Sequence, residues 1–496
     1  MKKPNILYLV ADQFRGDTLG CVGHPDIKTP YYDALANSGT LFKNAYSTNP
    51  VCVPARVTMI TGKYSHKCVM SPDGYKGNGG QIKPEEFRLP KFLKENGYNT
   101  YSSGKLHYLP YTPPGTANTL NGFEKAALAE SGRMLSAFDS KNQLRGVEDY
   151  IDYLEDVGWK GYSRAHGIGN NDIHPAASSL PSEHHVDSWV ATRAIGYIEE
   201  HLKNHPNNPF LVHASFPKPH APYDPPRPFD QMYDPRIIQK PAIKKDSHPR
   251  TPSKEKERIT HGINYMSPEA FQVARSHYYG LISFQDQQVG KIINYLKENG
   301  LYENTIVVFT ADHGDMLGDF GYFFKANMHQ GSVNVPLIFS WPAKLKKGVI
   351  SESLVGIHDI VPTLLDLLEL NSNQKFDGVS LKTELNDKGA IDRQRLISYC
   401  LESPMQTYMV RDKRWKYIYS EANGVEELYD MLNDHREETN VYDLHPQLVE
   451  EMKNIIIAWA TENNENKILS NGKLIKTEVS LQDIKFTPSS MGWRWY

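Results

Sequence analysis

No stretch of this chain approaches the roughly 20 consecutive apolar residues that a membrane-spanning helix needs, which argues against a helical membrane protein. Cysteine is scarce. Cys21, Cys52, Cys68 and Cys400 lie at wide spacings that match neither a zinc knuckle nor a dense secreted disulfide framework, so reduced thiols are expected. Charge of either sign is not in excess, since 55 Lys and Arg against 58 Asp and Glu leave a net charge of -3. Basic residues are scattered apart from short runs at Lys244-Lys245 and Lys254 to Arg258, which read as solvated loop, so no footprint for nucleic acid emerges. The apolar run after Met1-Lys2-Lys3-Pro4 is too short for a signal-peptide core with a cleavage site and reads as a first strand. The expected location is the cytoplasm as the sequence stands, or outside it had a signal been removed.

With 496 residues, 39% of them apolar and 23% charged, the chain can bury a sizeable core, and one large domain with a smaller one is expected. Ile6 to Val10, Phe210 to Ala214 and Thr305 to Thr310 are apolar runs unbroken by charge, as strands covered on both faces should be. Amphipathic stretches, Trp189 to Leu202 and Leu281 to Leu296, lie between them and predict helices. Strands alternating with helices imply an α/β sheet. Leu93 to Gly97 and Leu296 to Gly300 look alike and read as helix-to-strand junctions. Residues 224 to 260, rich in Pro, Lys and Arg, read as a long surface loop. From about Phe376 the pattern changes. Thr407 to Val410 and Lys416 to Tyr419 alternate around Arg411 to Arg414 as a hairpin should, and a helix is expected over Pro446 to Thr461. The division expected is 1–375 for the main domain and 376–496 for a small C-terminal α+β subdomain.

Each buried run ends in polar residues: Asp12-Gln13, the segment His213 to His220, and Asp312-His313. In open α/β sheets ligands bind at the carboxyl ends of strands, where these groups would converge. Carboxylate and amide oxygens suit Ca²⁺ or Mg²⁺, and the histidine leaves Mn²⁺ open. Asp after a strand is also an ordinary turn or cap residue. Cys52-Val53-Pro54-Ala55-Arg56 opens a helical stretch ending before Gly62, with Pro54 suited to the first helical position. Cys52 then sits near a helix N-terminus that favours anions, and Arg56 shares its face one turn on. Composition alone would make these a core cysteine and a surface arginine.

Cys-x-Pro-x-Arg resembles the signature of the sulfatases, in which a maturation enzyme oxidises the cysteine to formylglycine. Further sulfatase-like pieces follow in order: Pro4-Asn5-Ile6 with Asp12-Gln13, Thr29-Pro30 with Asp33 to Ala36, Gly104-Lys105-Leu106-His107, Pro219-His220-Ala221-Pro222, Thr310 to Asp315, Lys325, Val335 to Ile338 and the late Glu427 to Asp430. The resemblance implies an alkaline-phosphatase-like fold: a mixed, mostly parallel sheet flanked by helices, with a smaller C-terminal antiparallel sheet. It implies one divalent metal ion, calcium first, held by Asp12, Gln13, Asp312, His313 and the modified Cys52. Many sulfatases carry Asp at position 13 and Asn at 313, so this chain departs at both. Arg56 would hold the modified residue, and Lys105, His107, His220 and Lys325 would line the sulfate pocket, with His220 as acid and His107 as base. The implied partners are a sulfate ester of a sugar or aryl alcohol and the maturation enzyme. A phosphonate monoester or phosphodiester hydrolase of the same superfamily is the alternative, although Lys105 and His107 match the sulfatase pattern where phosphonate hydrolases tend to carry hydroxyl side chains. A non-catalytic sulfated-sugar-binding protein is the alternative of another class. His329-Gln330 stay without a role, Glu183, His184 and His185 read as a capping cluster, and Trp493 to Tyr496 as a docked tail.

Overall fold

The computed structural model describes residues 3–70, 78, 80–108, 120–131, 145–244, 251–260, 263, 266–480 and 482. An eight-stranded sheet is built from β1 (Asn5–Asp12), β2 (Thr40–Phe42), β3 (Asn99–Gly104), β4 (Lys125–Leu128), β5 (Phe210–Pro219), β6 (Thr305–Ala311), β7 (Leu337–Ser340) and β8 (Val349–Ser351). Their order is β8-β2-β7-β6-β1-β5-β3-β4. The three charge-free runs are its centre, each buried along its whole length. Ile6, Leu7, Leu9 and Val10 are fully buried, each contributing about 1.5–3 kcal/mol relative to exposure. β7 runs against β6 and β2, and the other pairings are parallel, which gives the mixed, mostly parallel sheet expected.

Register decides where the polar strand ends meet. Ala11 pairs with Ala311, so Asp12 and Asp312 emerge side by side, while β5 shifts register against β1 between Ala11 and Asp12. The close approach of β3 to β5 depends on Gly104, whose φ is +95° and where a Cβ would overlap the Ser215 carbonyl oxygen.

Among the helices are α1 (Pro30–Asn37), α2 (Cys52–Thr61), α3 (Val186–Asn204), α4 (Pro252–Thr260), α5 (Pro268–Glu298) and α6 (Pro446–Glu462). α3 packs on β3 and β5 and against α5. α5 starts well before Leu281, with Ser267 as N-cap and Pro268 in the first turn. Its first half hides from an apolar-periodicity reading because it buries charge: Arg275 donates to the Leu317 carbonyl at 2.8 Å and pairs with Asp319 at 3.3 Å. The segment 224 to 260 is likewise more than a loop, since it carries α4. Lys254 on α4 pairs with Glu427 at 2.9 Å, and Lys244 donates to the Glu437 carbonyl at 2.9 Å, so neither is the solvated charge expected. Position 245 of the first basic run lies outside the described residues.

A separate antiparallel sheet follows, of β9 (Leu396–Cys400), β10 (Thr407–Arg411), β11 (Trp415–Ser420) and β12 (Val425–Asp430), paired in sequence order and packed against α6. The predicted hairpin is β10 and β11. No helix among the described residues is long and apolar enough to cross a membrane. The tail Trp493 to Tyr496 lies outside the described residues.

Candidate active site

α2 brings the cysteine motif to the carboxyl ends of the central strands. It begins at Cys52, so Pro54 stands third in the helix and not first. The first turn has no intrahelical acceptor for its N–H groups, so a proline there forfeits nothing. Gly62, with φ +69°, closes the helix by donating to the Thr58 carbonyl at 2.9 Å. Every residue of α2 is buried, Arg56 included, which is 2% exposed and no surface arginine.

Burial of a guanidinium demands partners. Arg56 Nε donates to Asp312 Oδ2 at 2.9 Å, and Nη1 donates to the Lys105 carbonyl at 2.9 Å and to Ser215 Oγ at 3.1 Å. Nη2 lies 3.9 Å from Asp12 and has no hydrogen-bond partner among the described residues. Burial disfavours its charge, but Asp312 and Asp12 outweigh this and keep Arg56 protonated.

Asp12 ends β1 and is 1% exposed. Lys105, two residues before His107, pairs with its Oδ2. Burial pushes the Asp12 carboxyl up, yet Lys105, His220, Arg56 and Lys325 hold it well below the usual range. Gln13 is next, at φ +68°, a left-handed backbone that costs a side-chain-bearing residue about 1–2 kcal/mol. Four contacts hold it there: its N–H donates to Asp312 Oδ1 (3.0 Å), its carbonyl accepts from Tyr278 Oη (2.6 Å), Nε2 donates to Asp315 Oδ2 (2.6 Å) and Oε1 accepts from Lys325 Nζ (2.6 Å). Strain fixed from several sides is characteristic of a functional site.

His313 Nδ1 donates to the Gly314 carbonyl at 3.0 Å, which turns Nε2 toward Cys52 Sγ at 3.2 Å. Burial raises the Cys52 thiol, but Lys325 and Lys105 outweigh it and bring it down to about 6, whereas Cys21 and Cys68 are pushed up to about 12 by burial. On the far wall, His220 Nδ1 donates to the Ala221 carbonyl at 2.9 Å, leaving Nε2 to accept from Lys325 Nζ at 3.0 Å. His107 is positioned through its backbone N–H, which donates to Glu130 Oε1 at 2.9 Å.

Ligand atoms of Asp12, Cys52, Asp312 and His313 lie within 4.8 Å of one another. Asp12 Oδ1 is buried without a hydrogen-bond partner among the described residues and sits 3.8 Å from His313 Nε2. An orphaned carboxylate oxygen amid three other donors is what a cation site looks like before its cation, so these residues fit a divalent metal.

The structure gathers the motif residues at one end of the sheet, and it adds supports that the motifs did not name. Ser215 anchors Arg56, Glu130 anchors the Leu106 and His107 backbone, Asp315 holds Gln13, and Tyr278 holds its carbonyl. Asp315 stood inside a quoted motif and Ser215 inside the segment His213 to His220, whereas Glu130 and Tyr278 are isolated polar residues with no sequence signal. His329 and Gln330 join the two sheets. His329 Nδ1 donates to Glu437 at 3.1 Å and its Nε2 accepts from Lys254 at 2.6 Å, while Gln330 Oε1 accepts from Lys416 on β11 at 3.1 Å.

His185 is the N-cap of α3, accepting from the Asp187 N–H, in line with the capping expected. Asp187 itself has one buried oxygen without a hydrogen-bond partner among the described residues, and burial pushes its carboxyl up to about 7. Because the folded pKa is raised, the acid destabilises the native state above pH 7, and the cost fades as pH falls through 7 toward the unfolded value near 4. Asp187→Asn is therefore expected to raise unfolding stability by up to about 4 kcal/mol at pH 8 and by little near pH 4. Urea unfolding at both pH values measures this, and an equal gain at both would refute the ionisation argument.

Comparison with known proteins agrees with the site. A family profile described as Sulfatase matches residues 4–370, and one described as N-sulphoglucosamine sulphohydrolase, C-terminal, matches 318–462. An arylsulfatase of Clostridium perfringens is 28% identical over 488 residues, covering 96% of this chain and 98% of its own. An ulvan-active sulfatase of Formosa agariphila is 28% identical over 454 residues, covering 88% and 77%. The fold resembles the crystal structure of the phosphonate monoester hydrolase of Agrobacterium radiobacter with a TM-score of 0.73, at 24% identity over 96% of this chain and 100% of that one. At such identity the likeness speaks to fold alone. The profile spans most of the chain, and the cysteine motif, the cation cluster and the basic pocket occupy one place. The chain belongs to the sulfatase family and is a hydrolase of sulfate esters.

Proposed function

We propose that the chain cleaves the sulfate ester of a sugar or an aryl alcohol through a formylglycine made from Cys52 by a maturation enzyme, beside one divalent cation. Asp12, Gln13, Asp312, His313 and residue 52 would hold the cation, with calcium favoured by the oxygen-rich set that conversion leaves. When bound, it supplies positive charge that draws the sulfate oxygens in and makes a neighbouring hydroxyl more acidic. The observation that carries this reading is the burial of Arg56 between Asp312 and the cysteine motif, with Lys105 and Lys325 bearing on Cys52.

The chain's own residues supply the rest. Hydrated formylglycine has two hydroxyl groups. One attacks sulfur, giving its proton to Asp312, as the bond from sulfur to the alcohol oxygen breaks. His220, backed by Lys325, protonates the departing oxygen. His107 then takes the proton of the second hydroxyl, the C–O bond to sulfate breaks, and the aldehyde re-forms with release of inorganic sulfate. Arg56 orients the diol, and Lys105 and Lys325 balance the charge that builds on the sulfate oxygens. The same reading assigns 1–375 to the catalytic body and 376–496 to the C-terminal subdomain.

A panel of sulfated mono- and disaccharides, aryl sulfates and phosphonate esters tests the assignment on protein converted at Cys52. Sulfate esters are expected to be turned over at least about tenfold faster, in kcat/KM, than phosphonate esters of the same alcohol, because Lys105 and His107 stand where phosphonate hydrolases tend to carry hydroxyl side chains. Preference for the phosphonates would move the reading to the alternative hydrolase. A sulfated ligand bound without turnover by fully converted protein would leave a binding protein.

A further inference from the structure

While residue 52 is still cysteine, this site presents a different donor set from the one that conversion leaves. Two carboxylates, a sulfur and an imidazole nitrogen place ligand atoms within 4.8 Å of one another. Cys52 Sγ is 3.2 Å from His313 Nε2, which is 3.8 Å from Asp12 Oδ1 and 3.6 Å from Asp312 Oδ1. A tetrahedral zinc ion with ordinary bonds to sulfur, nitrogen and oxygen sets its donor pairs about 3.3–3.6 Å apart. The three spacings to His313 Nε2 lie within about half an ångström of that geometry.

Two further features prepare the site. The Gly314 carbonyl takes the Nδ1 proton of His313, which fixes the tautomer whose Nε2 can ligate. Lys105 pairs with Asp12 Oδ2, so Oδ1, buried and without a hydrogen-bond partner among the described residues, stays available on the side of His313. Thiolate and imidazole are zinc ligands, whereas calcium asks for six to eight oxygens. Conversion exchanges the sulfur for oxygen and moves the balance toward the hard cation.

We propose that the unconverted chain is a zinc-class site, in which Asp12, Cys52, Asp312 and His313 bind a borderline-soft divalent ion and mask the thiol, and that conversion of Cys52 reverses the metal preference. This rests on the reading of these four residues as the cation site. Binding displaces the thiol proton and oxidises nothing.

The test uses the full chain produced without conversion, stripped with a chelator and titrated with Co²⁺ as a spectroscopic stand-in for zinc. Expected are a thiolate-to-cobalt charge-transfer absorption, the visible bands of four-coordinate cobalt, displacement by Zn²⁺, and no displacement by Ca²⁺ in about 100-fold excess. Cys52→Ser should abolish the charge-transfer absorption and weaken Zn²⁺ binding by about 100-fold, and His313→Asn should weaken it by about 10- to 100-fold. Zn²⁺ should also slow alkylation of Cys52. Cobalt bound without the charge-transfer absorption, or displaced by an equal concentration of Ca²⁺, overturns the proposal. Unchanged zinc affinity in folded Cys52→Ser does the same. Sulfate ester turnover is measured separately on converted protein. Turnover there with no zinc binding by the unconverted chain overturns this inference and leaves the functional reading standing, whereas zinc binding without turnover overturns the functional reading alone.

Discussion

Asp312→Asn is expected to lower kcat/KM for a sulfate ester by about four orders of magnitude, or roughly 5.5 kcal/mol of transition-state stabilisation. In the proposed reaction three consequences of one lost charge combine. The cation loses an anionic ligand, and with it several kcal/mol of charge stabilisation. Arg56, whose Nε sits 2.9 Å from Asp312 Oδ2, loses the first of its two counter-charges while remaining buried. The group that takes the first proton is gone. Asparagine keeps the shape, and its carbonyl oxygen can still accept from the Gln13 and His313 N–H groups as Asp312 Oδ1 does at 3.0 and 2.9 Å. The fold should therefore persist, less stable by about 3 kcal/mol because a buried guanidinium is left with weaker pairing. Steady-state kinetics at saturating calcium, with unfolding curves beside them, check both numbers. A loss under tenfold would remove Asp312 from the cation site.

His220→Ala should separate substrates by their leaving groups. A sugar alkoxide is strongly basic and needs a proton as the S–O bond breaks, whereas nitrophenolate leaves unaided. General acid catalysis is typically worth about 100- to 10,000-fold. The variant is expected to lose that much in kcat/KM on a sugar sulfate and no more than about tenfold on nitrophenyl sulfate. The position of His220 fits this role: its Nε2 lies 3.0 Å from Lys325 Nζ, within reach of proton transfer between the two groups at the pocket wall. Equal losses on both substrates would refute the acid role and pass it to Lys325.

The parts of this molecule that could be read from the sequence are those that obey local rules. Ile6 to Val10 reads as a buried strand because a central parallel strand tolerates no charge on either face, and it is one. Cys52 and Arg56 read as one helix face because four residues make about one turn, and the buried α2 carries both. What stayed hidden depends on tertiary pairing. Arg56 looks like surface until Asp312, distant in sequence, arrives to pair with it. The first half of α5 looks too polar for a core helix until Arg275 meets Asp319. Lys254 and His329 gain a role only when β12 brings Glu427 and the turn beyond it brings Glu437. Ser215, Glu130 and Tyr278 hold the site through one or two hydrogen bonds each, which leave no periodic trace in a sequence. Gln13 shows its left-handed backbone only in three dimensions, since nothing in Asp12-Gln13 demands it.

The proposed reaction needs two hydroxyl groups on one carbon, which residue 52 can supply as a hydrated aldehyde and not as a thiol. Mass spectrometry of the peptide containing residue 52, taken from fractions ranked by specific activity, tests it most directly. Activity is expected to rise in proportion to the fraction of residue 52 carrying formylglycine and to vanish where only cysteine is found. Full activity in a fraction with unmodified Cys52 alone would contradict it.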